Sequence, residues 1–187
     1  MVEWSIAACR AAGSVRSIVV ACPPGHVHDL DSEDLGVVDG GATRAQSVSN
    51  ALEVVGTELV AIHDAARPLI TPELIEDVVA TLVADPDAVG AIAATPVTDT
   101  IKQTASVAIE ATLDRARLWA AQTPQVFRVE ALRTALEGDP DRVAAATDEA
   151  MLVEAAGGRV LIHPSSPENL KVTTPLDLRL AEYLLAQ

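Results

Sequence analysis

The sequence predicts an α/β protein built on a doubly wound, mostly parallel sheet. Short apolar runs alternate along the chain with stretches of helical period. Two helices announce their starts as Thr71-Pro72 and Thr174-Pro175, with threonine as cap and proline at the first helical position. No repeat, low-complexity tract or interdomain linker divides the 187 residues, so residues 1–187 read as a single domain.

The elements follow in order. Val2, Ile6 and Cys9 share one stripe of an amphipathic helix, with Gly13 as its C-terminal cap. Ser17 to Ala21 is a strand, ended by Pro23-Pro24-Gly25, and a polar, acidic loop runs to Asp34. Gly36-Val37-Val38 is a short strand leading into Asp39-Gly40-Gly41. A helix from about Thr43 to Val55 buries Val48, Leu52 and Val55. Leu59-Val60-Ala61-Ile62 reads as a buried strand. The Thr71-Pro72 helix runs to about Val83, and Val89 to Thr95 is the next buried strand.

Residues 96–122 break the pattern. Thr98, Asp99, Thr100, Thr104, Ser106 and Thr112 are interleaved there with single apolar residues, which predicts a β-rich arm leaving the main sheet. Val129 to Leu136 and Asp148 to Ala156 are helices, the second capped by Thr147 and closed by Gly157-Gly158. Arg159 to His163 is a strand, and Leu170-Lys171-Val172 a further short one. Thr174-Pro175-Leu176-Asp177 is a capping-box start for the last helix, which runs to about Leu185.

Composition narrows the function. Thirteen basic against 27 acidic residues give a formal charge of −14, which argues against a nucleic-acid or anionic-membrane partner. Phe, Trp and Tyr together number four, too few for a base-stacking platform. Hydrophobic residues make up 49%, enough for a substantial core. No apolar run reaches membrane-spanning length, and no secretory signal opens the chain. Cys9 and Cys22 lack metal-type spacing and read as reduced thiols of a cytoplasmic protein.

The most informative segment is His63-Asp64-Ala65-Ala66-Arg67-Pro68, directly after the Leu59 to Ile62 strand. Ligands of open α/β sheets collect beyond the carboxyl ends of the strands. A carboxylate there can hold Mg²⁺, leaving other positions to phosphates and water. An arginine close by can grip a phosphate with its planar fork. The segment therefore suits a metal–phosphate substrate; a surface turn capped by Asp64 and paired with Arg67 is the plainer alternative. Lysine occurs twice, at Lys102 and Lys171, each closing a small motif. Either could meet a moving phosphate, or simply face solvent.

Several blocks appear in a fixed order: Asp39 to Val48, His63 to Pro68, Pro96 to Lys102, Arg115 with Leu118-Trp119, Gln122 to Gln125, Thr147 to Ala150, and Asn169 to Thr173. Together they resemble the 2-C-methyl-D-erythritol 4-phosphate cytidylyltransferases of the non-mevalonate isoprenoid pathway, across nearly the whole chain. The resemblance implies a Rossmann-like nucleotidyltransferase fold with a protruding β-arm, and transfer of CMP from CTP to the sugar-alcohol phosphate with release of pyrophosphate. It implies that Gly41 and Ser47 meet the cytosine, with Arg44 also on the nucleotide side, and that Ala65 lies near the ribose. It assigns Asp64 to Mg²⁺ or another divalent cation, and Lys171 to phosphate charge near the reacting phosphorus. Thr100, Arg115 and Thr123 would position the acceptor, with Thr147 and Arg67 nearby. Arg115 would reach a partner subunit's site from the arm at 96–122, making a homodimer necessary. Asp64, Lys171 and Arg115 are the expected catalytic set.

The chain departs from that family at its start. Members open with a strand and a Gly-rich loop that cradles the triphosphate, and Met1 to Trp4 falls where their first helix is already under way. The expectation is that the first βα unit, about thirty to forty residues, is absent and the working enzyme is longer. Three other readings remain at this point: a cytidylyltransferase for another polyol phosphate such as ribitol 5-phosphate, a silent binding or dimerisation homologue, and a dehydrogenase. The last lacks G-x-G-x-x-G after a strand.

Overall fold

A computed structural model describes residues 1–26 and 35–186. Most of the acidic loop expected up to Asp34 lies outside the described residues.

The central sheet has four strands in the order β3 (Leu59–Ile62), β7 (Trp119–Arg128), β4 (Gly90–Pro96) and β8 (Val160–Pro164). β4 and β8 are parallel, while β7 runs antiparallel to both β3 and β4. β3, β4 and β8 therefore point one way, and the sheet is mostly parallel as predicted. β1 (Ile18–Cys22) and β2 (Leu35–Asp39) form a separate parallel pair, with Ile18 opposite Leu35 and Cys22 opposite Asp39.

Helices cover both faces. On one, α2 (Arg44–Leu52), α4 (Val129–Leu136) and α6 (Glu149–Ala155) supply Val48, Leu52, Leu132 and Val153, which pack with Ile92 and Phe127 of the sheet. On the other, α3 (Pro72–Ala84) sets Val78 and Leu82 against Ala91, Ala93 and Val126. Sheet neighbours alternate between the two faces because strand side chains have a period of two. Phe127 is fully buried, which contributes about 1.5–3 kcal/mol. Gly90 makes room for its ring: a Cβ there would lie 2.6 Å from Phe127 Cδ1. α1 (Val2–Ala11) packs Ala8 beside Ile70 and Ile75.

Local chemistry explains most element starts. Thr43 and Thr71 cap α2 and α3 by accepting the N–H groups of Gln46 and Leu74. Thr174 and Asp177 form the capping box of α7 (Pro175–Leu185).

Several expectations need correction. The arm is shorter than 96–122. It consists of β5 (Lys102–Thr104), β6 (Ile109–Thr112) and a 3₁₀ turn at Arg115–Arg117, and is closed at its base by Val97 N–H donating to Leu118 O. Trp119 then begins β7, an interior strand whose polar Gln122, Thr123 and Gln125 hide it from any hydrophobic pattern. Gly13 is not the cap of α1, because Ala12 turns the chain extended (φ −76°, ψ 123°) while its N–H bonds to Ala8 O and Cys9 O. α2 ends at Leu52 rather than Val55, as Val54 and Val55 N–H bond back only three residues, to Ala51 O and Leu52 O. Asp148, not Thr147, caps α6: its carboxylate accepts the Met151 N–H. A short helix, α5 (Pro140–Ala145), was not anticipated, although Asp139 and Pro140 form a start signal. Leu170 to Val172 is no strand, because its backbone joins no ladder. It is tied instead by Val172 N–H donating to Ala66 O at 2.8 Å.

Candidate active site

β3 ends at Ile62, and the next five residues form the site's framework. Arg67 N–H donates to Asp64 O at 2.9 Å and closes a turn. The Asp64 N–H donates in turn to Thr123 Oγ1 at 3.1 Å, which fixes the turn against β7. Thr123-Pro124 is a cis peptide. The bond from Val172 to Ala66 brings the segment carrying Lys171 alongside.

Asp64 is the centre. Its Oδ1 accepts Arg44 Nη2 at 3.2 Å, and its Oδ2 lies 3.0 Å from Lys171 Nζ and 3.9 Å from Arg67 Nε. Burial by itself would raise its pKa. The Lys171 hydrogen bond and the Arg44 charge outweigh that and hold the carboxyl below its ordinary value. Arg44 is shared with Glu149, whose two oxygens accept from its Nη1. Glu149 is almost fully buried, and desolvation keeps its pKa raised despite the guanidinium. Three cations against two carboxylates leave this pocket net positive in a chain of charge −14, as an anionic ligand requires.

Arg67 behaves differently from the sequence expectation. Its guanidinium is buried, donating from Nη1 to Asn169 O at 2.7 Å and from Nη2 to Ala121 O at 3.5 Å. It is an internal strut that joins three segments, not a surface partner of Asp64 and not a free phosphate grip. Asn169 extends the strut, its Nδ2 donating to Gln122 Oε1 and Thr123 O. His63 fills the space beneath the turn, and burial pushes its pKa down to about 4.

Of the residues expected on the nucleotide side, Gly41, Arg44 and Ser47 gather at the start of α2, and Ala65 follows β3. Ser47 Oγ accepts the Gly41 N–H at 2.9 Å and donates to Thr43 O at 3.0 Å, which shapes the loop before the helix. A side chain at Gly41 would overlap Gln46, with a Cβ only 2.3 Å from its Cγ. Ser47, Arg44, Asp64, Ala65 and Lys171 line one cavity of about 600 Å³, which continues between β1 and β3 past Val19 and Ile62.

The arm residues stand apart. Thr100 and Arg115 are exposed, and no hydrogen bond or ion pair among the described residues links them to Asp64. Arg115 donates to Thr98 O, which shapes the arm's base. Lys102 donates to Thr112 Oγ1 across the hairpin, so it braces the arm. Thr147 is exposed, one residue before the α6 cap.

Sequence reasoning gave no role to Glu149, Asp148 or Gln125. Gln125 Nε2 donates to Asp148 Oδ2 at 2.9 Å, and its Oε1 accepts Ala150 N–H at 3.3 Å, locking β7 to the α6 start. The available signal was adjacency: all three lie inside blocks that already carried chemistry.

A family model described as 2-C-methyl-D-erythritol 4-phosphate cytidylyltransferase matches residues 1–187. A "Bifunctional enzyme IspD/IspF" of Anaeromyxobacter sp. is 43% identical over 97% of this chain, which spans about half of that relative, 48% of its length. A 2-C-methyl-D-erythritol 4-phosphate cytidylyltransferase of Microcystis aeruginosa is 39% identical over all of this chain and 86% of its own. The crystal structure of the Thermus thermophilus protein of that name superposes with a TM-score of 0.83 at 34% identity, over 99% of this chain and 88% of that one.

Proposed function

The chain belongs to the 2-C-methyl-D-erythritol 4-phosphate cytidylyltransferase family, and we propose that its Asp64 site joins CMP from CTP to 2-C-methyl-D-erythritol 4-phosphate, releasing pyrophosphate, in isoprenoid precursor synthesis. One observation carries this reading: a single carboxylate at the end of β3 is ringed by Arg44, Lys171 and Arg67 in an otherwise acidic protein.

An oxygen of the acceptor phosphate attacks the α-phosphorus of CTP in line. The new P–O bond forms as the bond to the bridging oxygen breaks, and pyrophosphate leaves with that electron pair. The acceptor is already ionised, so no side-chain nucleophile or general base is needed. Both reactants are anions, and fixed cations must screen them and the transition state. Lys171 is the mobile cation. Its side chain is 45% exposed, and it can turn from Asp64 to phosphate while the buried Glu149 keeps Arg44 in place. Gly41 and Ser47 shape the loop that faces the cytosine, and the small Ala65 leaves space for the ribose.

Asp64 suits Mg²⁺ or another divalent cation. It is a lone carboxylate beside a cavity, and among the described residues no cluster of three or more His, Cys, Asp or Glu forms a protein cage. A magnesium ion is commonly held by one or two carboxylates with phosphates and water. Once bound it supplies Lewis-acid polarisation of the phosphoryl oxygens.

Thr100, Arg115 and Thr147 position the acceptor, the first two from the arm of a second copy in a homodimer, while Thr123, buried with its hydroxyl engaged by His63 and Asp64, supports the turn behind them. Supporting this, the arm exposes Val107, Ile109 and Leu113. The protein works in the cytoplasm, where its cysteines, Cys9 and Cys22, remain thiols. No described helix is long and apolar enough to cross a membrane.

The test is pyrophosphate release from CTP and Mg²⁺ with two acceptors offered separately, methylerythritol phosphate and ribitol 5-phosphate. The first alone supports release, and Asp64→Asn lowers it about 10²–10³-fold. Undiminished release by that variant overturns the reading.

A further inference from the structure

His63 has no role in the reaction as described, yet it is held more completely than any substrate contact requires. Its Nε2 lies 3.2 Å from Arg67 O, and its Nδ1 lies 2.9 Å from Thr123 Oγ1. A carbonyl oxygen can only accept, so Nε2 carries the hydrogen. In the neutral ring Nδ1 then accepts the Thr123 hydroxyl hydrogen. That leaves the Thr123 oxygen to accept the Asp64 N–H at 3.1 Å, while Asp64 O accepts the Arg67 N–H at 2.9 Å. The four bonds run head to tail and close on themselves: Thr123 to His63, His63 to Arg67, Arg67 to Asp64, Asp64 to Thr123. Thr123 is itself anchored, its carbonyl accepting Asn169 Nδ2 at 2.9 Å.

We propose that His63 is a positioning residue, closing a ring of hydrogen bonds that fixes both backbone groups of Asp64 and hence the direction of its carboxylate toward a divalent cation. The inference rests on the assignment of Asp64 to that cation. A single carboxylate has no neighbouring protein ligand to correct its aim, so its backbone must be held from behind. Hydrogen bonds in a low-dielectric interior strengthen one another when they run in one direction. Removing a partner that orients a metal ligand lowers metal affinity about 10–100-fold.

The test uses Mn²⁺ titrated into protein with saturating CTP, followed by calorimetry, alongside the Mg²⁺ concentration that half-saturates pyrophosphate release. His63→Phe removes both ring nitrogens, and Thr123→Val removes the hydroxyl at constant shape. Both weaken Mn²⁺ about tenfold or more and raise the half-saturating Mg²⁺, with much of kcat recovered at saturating cation. His63→Asn, which keeps an amide near the Nδ1 position, falls between them and the wild type. The double variant His63→Phe with Thr123→Val is no worse than either alone, because the ring is already open. A purely structural role lowers thermal stability without moving cation affinity. Wild-type Mn²⁺ affinity in Thr123→Val, or in a folded His63→Phe, overturns the proposal. If His63→Phe does not fold, Thr123→Val decides it. If Asp64→Asn itself binds Mn²⁺ like the wild type, the assignment of Asp64 fails instead, and the two failures are distinct.

Discussion

Lys171 Nζ lies 3.0 Å from Asp64 Oδ2, and the two chain segments that carry them are joined by the backbone bond from Val172 N–H to Ala66 O. The cation and the carboxylate form an ion pair with each other. A metal-bound triphosphate, as proposed, would offer each a stronger partner: the carboxylate a metal, the ammonium a phosphate. On the proposed function, the pair would be a resting arrangement that substrate rearranges.

Substituting Lys171→Met tests that exchange. Lys171 is 45% exposed and Asp64 keeps Arg44 and Arg67 as partners, so loss of the lysine changes stability by less than about 1 kcal/mol. The loss of a charge contact in the transition state lowers kcat about 10²–10³-fold. Thermal melting and steady-state kinetics on one preparation check both. A large fall in melting temperature with little change in kcat contradicts the role given to Lys171.

Glu149→Gln tests the anchor of Arg44. Glu149 is 1% exposed and accepts two bonds from the guanidinium. Its neutralisation destabilises the fold by about 1.5–3 kcal/mol and lets Arg44 collapse onto Asp64. The KM for CTP rises as a result. Urea denaturation and CTP titration measure the two effects.

The arm tests assembly. Val107 is fully exposed and Ile109 is 62% exposed on the β5–β6 hairpin. Ile109→Asp shifts the protein from dimer to monomer in sedimentation velocity while leaving the far-ultraviolet spectrum unchanged. If the wild type is already monomeric at all concentrations, the arm does not mediate a dimer.

Asp177 gives the pH dependence of the last helix. The backbone N–H of Thr173, followed by that of Thr174, holds its carboxyl down to about 2 from an ordinary value near 3.8. A depressed carboxyl contributes stability that is fully present above the unfolded value and is lost as pH falls through the folded one. Asp177→Asn is therefore less stable than the wild type above about pH 4, and the gap narrows as pH falls from about 4 toward 2. Denaturant midpoints across that range check it; a gap that widens on acidification contradicts the assignment.

Much of this protein is legible in its sequence. Thr43, Thr71 and Thr174 marked helix starts correctly because a cap is a local hydrogen bond between residues two or three apart. The strand Leu59–Ile62 was visible as an apolar run, and the block after it holds Asp64, on which Arg44, Lys171 and Arg67 converge.

Tertiary structure decided the rest. The expected arm took in residues 119–122 and no element was expected over 123–128, because polar Gln122, Thr123 and Gln125 interrupt the apolar run of β7; Asn169, His63 and Asp148 satisfy them in the interior. The sequence placed the α6 cap at Thr147, and the folded chain places it one residue on, at Asp148, whose carboxylate accepts the Met151 N–H. Arg67 turned inward because carbonyls of Asn169 and Ala121 met it there. A sequence displays hydrophobic period and local capping because those depend on near neighbours. Whether a buried polar side chain is tolerated depends on partners far along the chain, and only the folded protein brings those within hydrogen-bond reach.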